Sequence, residues 1–201
     1  MPDVSALLSW VRRGTELFAH ALTPEVQAAN SDLVAEVTDR VWATAIALGA
    51  EPPASGQGPV EEYATAATAL TDQLGARADW SDPITVDGAE LTATQVLWPL
   101  AQQLTVGAVD LGGAQFAELP TDFLTALLAT IIEQRAEDGS SALEVLVQDT
   151  GEGWLLKGVG EPVRVMAPLV AITAWLASRP VPGGTVKVLG PQMLPELPRW
   201  G

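Results

Sequence analysis

QQLTVGAVDLGGA, residues Gln102–Ala114, combines a helical pattern with polar residues in unusual places. Gln103 and Gly107 are four residues apart, so a helix would place both on one side, next to the apolar positions Leu100 and Leu104. Metal-binding helices use this spacing for pairs of ligands. However, an amide oxygen is a weak zinc ligand and glycine has no side chain to donate. The stretch therefore has the spacing of a metal-binding helix without residues that bind a metal well.

The chain around this stretch carries the periodicity of amphipathic helices over its first two thirds. The apolar pattern and its flanking signals predict helices over Val4–Ala21, Ser31–Leu48, Val60–Leu74, Thr92–Val109 and Thr121–Gln134. Ser31 or Asp32 would cap the second helix. Glu51–Pro59 is a linker rich in Pro, Gly and Ser. Ile84–Leu91 is a β-like segment with Asp87-Gly88 as its turn.

The pattern changes from helical to alternating after residues 138–140. It predicts strands over Ala142–Gln148, Trp154–Gly158, Pro162–Met166 and Thr185–Leu189, and an apolar helix over Pro168–Ser178. The expected fold class is α+β, with an up-and-down helical bundle over residues 1–137 and a small α/β domain over residues 140–201.

Composition excludes several classes of protein. Ten Lys and Arg stand against 25 Asp and Glu, a net charge of −15. Nucleic acids and anionic membranes repel such a surface, so neither is an expected partner. The chain has no Cys, which excludes disulfides and cysteine nucleophiles. No signal peptide or membrane-spanning apolar run is recognisable, so we expect a soluble, cytoplasmic protein.

Common catalytic motifs do not fit either. The single His20 lies near a helix end, where a structural role is expected, so a Ser-His-Asp triad cannot form. Gly158-Val-Gly160 is followed by Glu-Pro, which does not suit a dinucleotide loop, and there is no phosphate-binding loop motif. Clusters of His and Cys for an ordinary zinc site are absent from the sequence.

Several segments resemble the mycothiol-dependent maleylpyruvate isomerase family. The central ones are Gln103-Leu-Thr-Val-Gly-Ala-Val-Asp-Leu111 and Phe116-Ala-Glu-Leu-Pro-Thr-Asp-Phe-Leu124. The others, spread over nearly the whole chain, are Leu8–Phe18, Ser31–Val37, Gly153–Leu155, Gly160–Val163, Ala174–Leu176 and Leu194–Trp200. The resemblance implies a DinB-like helical bundle followed by a sterol-carrier-like α/β domain.

The resemblance also implies a divalent metal, usually zinc, held by His, Glu and His from two helices. That metal would activate the thiol of mycothiol for addition to the substrate's double bond. In this chain the three ligand positions fall on Glu36, Gln103 and Gly107. Leu100 and Gln102 stand where the family has basic residues. Zinc is therefore not expected, although mycothiol binding stays open.

The residues leave several roles open. Glu36 could serve as a general base, bond Gln103 across the two helices in place of the metal, or point to solvent. Trp98 could pack in the core or form a pocket wall. A Gly at 107 would let another segment approach closely. The expected ligand pocket comprises Glu36, Trp98, Leu100, Gln103, Gly107 and Asp110.

We therefore expect a family-like protein without the metal triad that binds a small-molecule or thiol ligand, or a partner, and is not an enzyme. An active mycothiol-dependent isomerase or thiol transferase with an altered or metal-free site is the alternative. A homodimer is the third hypothesis, since Trp42 and Ile46 point away from the main apolar stripe of their helix.

Overall fold

The computed structural model describes residues 2–52, 58–86, 88–137 and 141–200, which form two compact units, Met1–Gln115 and Phe116–Gly201. The elements of the first unit are helices α1 Val4–Ala21, α2 Pro24–Ala29, α3 Ser31–Ala47, α4 Pro59–Ala76 and α5 Ala93–Asp110, with strands β1 Ile84–Val86 and β2 Ala89–Leu91. Helix α1 packs against α5 and α4, and α3 packs against the same two helices. Four long helices therefore enclose one core.

Helix α5 is the central helix of this unit. Thr92 and Gln95 form a capping box at its start, which satisfies backbone N–H groups of the first turn. Most of its residues are buried, as expected for a helix in which apolar and small residues outnumber polar ones. Gly14 of α1 packs against it so closely that an added Cβ would lie 2.9 Å from Cβ of Leu104. This contact fixes how α1 lies on α5.

The five predicted helices and the Ile84–Leu91 hairpin are confirmed within a few residues. Asp87 of the predicted turn and most of the Glu51–Pro59 linker lie outside the described residues. The predicted cap of α3 was wrong. Asn30 precedes the helix without a side-chain capping bond, because its amide donates to the carbonyl of Val26. The short α2 was not predicted.

The second unit is a small sheet with helices. Its elements are a 3₁₀ turn Phe116–Glu118, α6 Thr121–Glu137, β3 Ser141–Val147, β4 Gly153–Leu156, β5 Val159–Ala167, α7 Leu169–Leu176 and β6 Lys187–Val188. The strand order is β4-β3-β5-β6, with β3 and β5 parallel and the outer pairs antiparallel. The α+β fold class is confirmed. None of the described helices is long and apolar enough to cross a membrane.

The predicted domain bounds, 1–137 and 140–201, stay a prediction. The sequence placed the boundary at 137–140, whereas the compact units divide after Gln115. Helix α6 packs against α7 and β4, so its contacts join it to the sheet. Two strands also differ from prediction: β5 begins at Val159, and β6 has only two residues, Lys187 and Val188. Residues 138–140, after which the sequence pattern changes, lie outside the described residues.

Tyr63 links α4 to α1 and supports a test of the core. It is 1% exposed, its hydroxyl donates to the carbonyl of Thr15 at 3.1 Å, and its ring lies 4.9 Å from that of Phe18. Burial raises the pKa of Tyr63 well above its ordinary value of about 10. The neutral phenol therefore contributes stability that is fully present below about pH 10 and is lost as the pH rises further.

Because Tyr63 is the single tyrosine, ultraviolet absorbance in alkali reports on it alone. We expect tyrosinate absorbance to appear only when circular dichroism shows unfolding. The variant Tyr63→Phe should show a flatter decline of stability above about pH 10. Reversible ionisation near pH 10 in a fully folded protein would contradict this prediction.

Candidate functional site

Glu36 and Gln103 form a polar bond between α3 and α5. The Nε2 of Gln103 donates to Oε1 of Glu36 at 2.7 Å. Glu36 is exposed and Gln103 is half-buried, so the bond lies at the surface edge of the bundle. The expected bond across the two helices is confirmed. The role of Glu36 as a general base stays a prediction.

The other end of the Gln103 amide faces inward. Its Oε1 is buried and has no hydrogen-bond partner among the described residues. An unsatisfied buried acceptor costs about 1–3 kcal/mol, because it has left water without gaining a donor. The inward side of this polar bond therefore carries an unsatisfied acceptor.

The space next to Gly107 is filled by an aromatic ring. A Cβ built on Gly107 would lie 3.0 Å from Cε2 of Phe18 and 3.6 Å from Cγ2 of Val37. Phe18 comes from α1 and is 0% exposed. The expectation that Gly107 lets another segment approach is confirmed, and that segment is the Phe18 side chain. Any larger residue at position 107 would have to displace this ring.

The other residues of the expected pocket do not line an open cleft with Glu36, Gln103 and Gly107. Leu100 is 1% exposed and Trp98 is 9% exposed. The Trp98 ring lies 5.6 Å from that of Trp10 at 55°, a tilted aromatic pair typical of core packing. Asp110 is exposed at the last residue of α5, about 10 Å along the helix from Gln103 at ~1.5 Å per residue.

The chemistry of the donors can be compared with that of a His-Glu-His metal site. Gly107 offers no donor atom, and Phe18 fills the volume in which one would lie. Gln103 offers an amide instead of a carboxylate, and its N–H group already holds Glu36. No group of three or more His, Asp or Glu residues in the described ranges could hold a metal ion. These residues do not fit the metal that the resemblance implies.

Phe18 is the site residue that the sequence did not identify. Its place on the apolar stripe of α1 was evident, but an apolar stripe contains many residues that face neighbouring helices. Which of them meets Gly107 depends on how α1 is rotated against α5. A glycine within an apolar helix was the one available signal that a bulky side chain lies opposite.

Two solved structures match this one along nearly their whole length. A His-to-Ala mutant of the mycothiol-dependent maleylpyruvate isomerase has a TM-score of 0.80 and 20% sequence identity, covering 99% of this chain and 98% of that chain. A second structure of the mycothiol-dependent maleylpyruvate isomerase has a TM-score of 0.66 and 23% identity with the same coverage. The chain has the fold of these isomerases.

The resemblance seen in the sequence is thus confirmed at the level of the fold, for both the helical and the sheet unit. No protein-family model matches the sequence. A search of curated proteins also finds no match.

Proposed function

We propose that this chain is a divergent relative of the mycothiol-dependent maleylpyruvate isomerases that binds a small ligand or a partner protein and does not catalyse the isomerisation. The observation that carries the proposal is the Phe18 ring against Gly107. In the arrangement that the resemblance implies, a metal ligand would stand at this position. An apolar ring in its place removes both the donor and the space for it.

The bond between Glu36 and Gln103 supports the same reading. Two ligand positions on neighbouring helices are here joined directly, so no cation is needed to hold the helices together at this point. A single exposed carboxylate rarely retains zinc, because zinc sites in proteins use three or four convergent donors. The polar bond can therefore hold the two helices together as a bound metal would, but it cannot supply the chemistry of a metal.

The buried Oε1 of Gln103, which has no hydrogen-bond partner among the described residues, favours a protein that binds a small ligand over one that binds none. A ligand with an N–H or O–H donor would satisfy this acceptor. Mycothiol is a candidate, since the proteins that share the fold are mycothiol-dependent. The net charge of −15 favours neutral or cationic ligands over dicarboxylates.

Metal content is the test of this proposal. Purified protein without a tag would be dialysed against dilute zinc, and the bound metal would be determined by mass spectrometry. We expect well below one zinc per chain, because the site lacks convergent donors. About one zinc per chain would refute the proposal and show that Glu36, Gln103 or Asp110 belongs to a different metal site.

The alternative is a working isomerase or thiol transferase that uses the site without a metal. The match over 99% of the chain to an isomerase structure favours it, and Glu36 would be its general base. Incubation with maleylpyruvate and mycothiol separates the two. Turnover that is lost in Glu36→Gln would establish the enzyme, whereas binding of mycothiol without turnover would support the binding protein.

A further inference from the structure

The sheet of the second unit has one buried and one exposed face. Side chains alternate along a strand, so neighbours in β3 point to opposite faces. Leu143 and Val145 are 0% exposed and belong to the inner face. Glu144 and Leu146 belong to the outer face, which is only partly buried.

One row of residues crosses all four strands on this outer face. The register pairs Glu144 of β3 with Leu155 of β4 and with Arg164 of β5. Leu189, just after β6, donates its backbone N–H to the carbonyl of Arg164 and so continues the row. Leu155 and Leu189 are 61% and 40% exposed. Arg164 Nε lies 2.8 Å from Oε2 of Glu144, and both side chains are exposed.

A second row lies beside the first. It consists of Gly153 on β4, Leu146 on β3, Met166 on β5 and Lys187 on β6. Leu146 and Met166 are half-buried and adjacent, so they form an apolar centre. Gly153 at one end of the row leaves room for a long side chain, and Lys187 at the other end is exposed. The outer face therefore combines four large apolar side chains with a few charges in a fixed order.

The order of apolar and charged side chains along the two rows matches that of a second copy turned to face it. We infer that a second copy of this chain covers the outer face, related by a two-fold axis parallel to the strands between β3 and β5. In the first row, the axis places Leu155 against the second copy's Leu189 and Glu144 against its Arg164. In an isologous interface each contact occurs twice, so both charges of the row find an opposite charge.

The second row matches under the same axis. Leu146 would face Met166 of the second copy, and Lys187 would extend over Gly153, where no side chain opposes it. A strongly charged partner matches this face less well, because the first row carries one acid and one base that cancel. The charge order thus selects a second copy among the occupants that an exposed apolar face could have.

The size of the outer face limits the expected affinity of the dimer. Four strands ~4.8 Å apart, of four, seven, nine and two residues in the order β4-β3-β5-β6, span at most roughly 20 Å by 20 Å. Two copies would bury roughly 800 Å² in total, which is less than the ~1,200–2,000 Å² of stable interfaces. We therefore expect a weak dimer with a Kd in the micromolar range. This inference does not depend on the proposed function of the helical unit.

Solution mass measured over concentration tests the dimer. Sedimentation between about 5 and 500 µM brackets a micromolar Kd. The mass should rise from that of one 21.0 kDa chain towards twice that value.

Charge reversal tests whether the outer face forms the dimer. Glu144→Arg and Arg164→Glu each place like charges opposite one another and should keep the chain monomeric. The double reversal restores the alternating order and should restore the dimer. Ile46→Lys, at an exposed apolar residue of α3, is the control and should dimerise normally.

The outcomes are distinct. A monomer at all concentrations would overturn the inference. A dimer that persists in both single reversals would show that another face is used, and loss of the dimer in Ile46→Lys would assign it to α3. Circular dichroism of each variant shows that the fold is intact, which is expected because both exchanged side chains are exposed.

Discussion

Replacing Arg135 with methionine should destabilise the protein by about 3–5 kcal/mol. Arg135 is a charged side chain that is 0% exposed. Its Nε donates to the carbonyl of Leu176 at 2.6 Å, and its Nη2 donates to Oγ of Ser178 and to the carbonyl of Pro198 at 2.8 and 2.9 Å. One side chain therefore joins α6 to the end of α7 and to the extended tail before Trp200.

The size of the effect follows from what the variant leaves behind. Methionine keeps most of the volume but donates no hydrogen bond. The carbonyl of Leu176 and Oγ of Ser178 therefore lose a donor, while the carbonyl of Pro198 keeps the hydroxyl of Ser178. Each buried acceptor without a partner costs about 1–3 kcal/mol. Ser178 adds to the cost, because it has a positive φ of 59°, a strained conformation for a residue with a side chain, and depends on its neighbours to hold it.

The control for Arg135→Met is Arg40→Met, at an exposed arginine of α3. Removal of an exposed charge typically changes stability by less than about 1 kcal/mol. Urea unfolding followed by circular dichroism, at concentrations where the chain is monomeric, gives both values. Similar losses in the two variants would show that the Arg135 contacts contribute nothing specific.

The contacts of Arg135 illustrate what the sequence could not show. Its acceptors lie 41 to 63 residues further along the chain, and no local pattern marks them. The long helices were predictable, because apolar spacing and caps are local: Thr92 and Gln95 identify the start of α5 directly. The sequence predicts that α6 is a helix but not which elements it packs against, since its helical pattern is the same in either case.

The same distinction holds at the candidate site. Glu36 and Gln103 could be paired from the sequence, because their helices were evident and the resemblance supplied the register between them. Phe18 could not be assigned, because its position over Gly107 depends on the close contact of Gly14 with Leu104. Tertiary packing, and not the residues of the site alone, decides that an aromatic ring lies where the resemblance implies a metal ligand.

Introducing the His-Glu-His ligands that the resemblance implies should create a zinc site only when the Phe18 ring is also removed. The combination Glu36→His, Gln103→Glu and Gly107→His supplies three donors from α3 and α5. With Phe18 in place, the new side chain at 107 meets atoms 3.0 and 3.3 Å from its Cβ, so its ring has no room to turn towards the other two ligands. We expect this triple variant to be destabilised and to bind zinc weakly.

Adding Phe18→Ala removes the obstacle. Removing a buried Phe costs about 3–5 kcal/mol in an unaltered core, but the imidazole introduced at 107 would refill part of that cavity. Three donors then converge, and zinc should stabilise the quadruple variant by about 4 kcal/mol at a free concentration one thousand times Kd. Thermal unfolding with and without zinc, together with titration against a chelator, measures both effects.

The matched control carries Gly107→Ala in place of Gly107→His, with the other three substitutions unchanged. It has the same opened space but lacks the third donor, so its zinc affinity should fall by orders of magnitude. If the triple variant binds zinc as tightly as the quadruple one, Phe18 does not block the position. If the quadruple variant folds and still binds no zinc, then Glu36, Gln103 and Gly107 do not occupy the ligand positions. Tight zinc binding by the triple variant would leave the missing donors as the sole reason for a metal-free site. No zinc binding by a folded quadruple variant would mean that these positions do not correspond to those of a metal site.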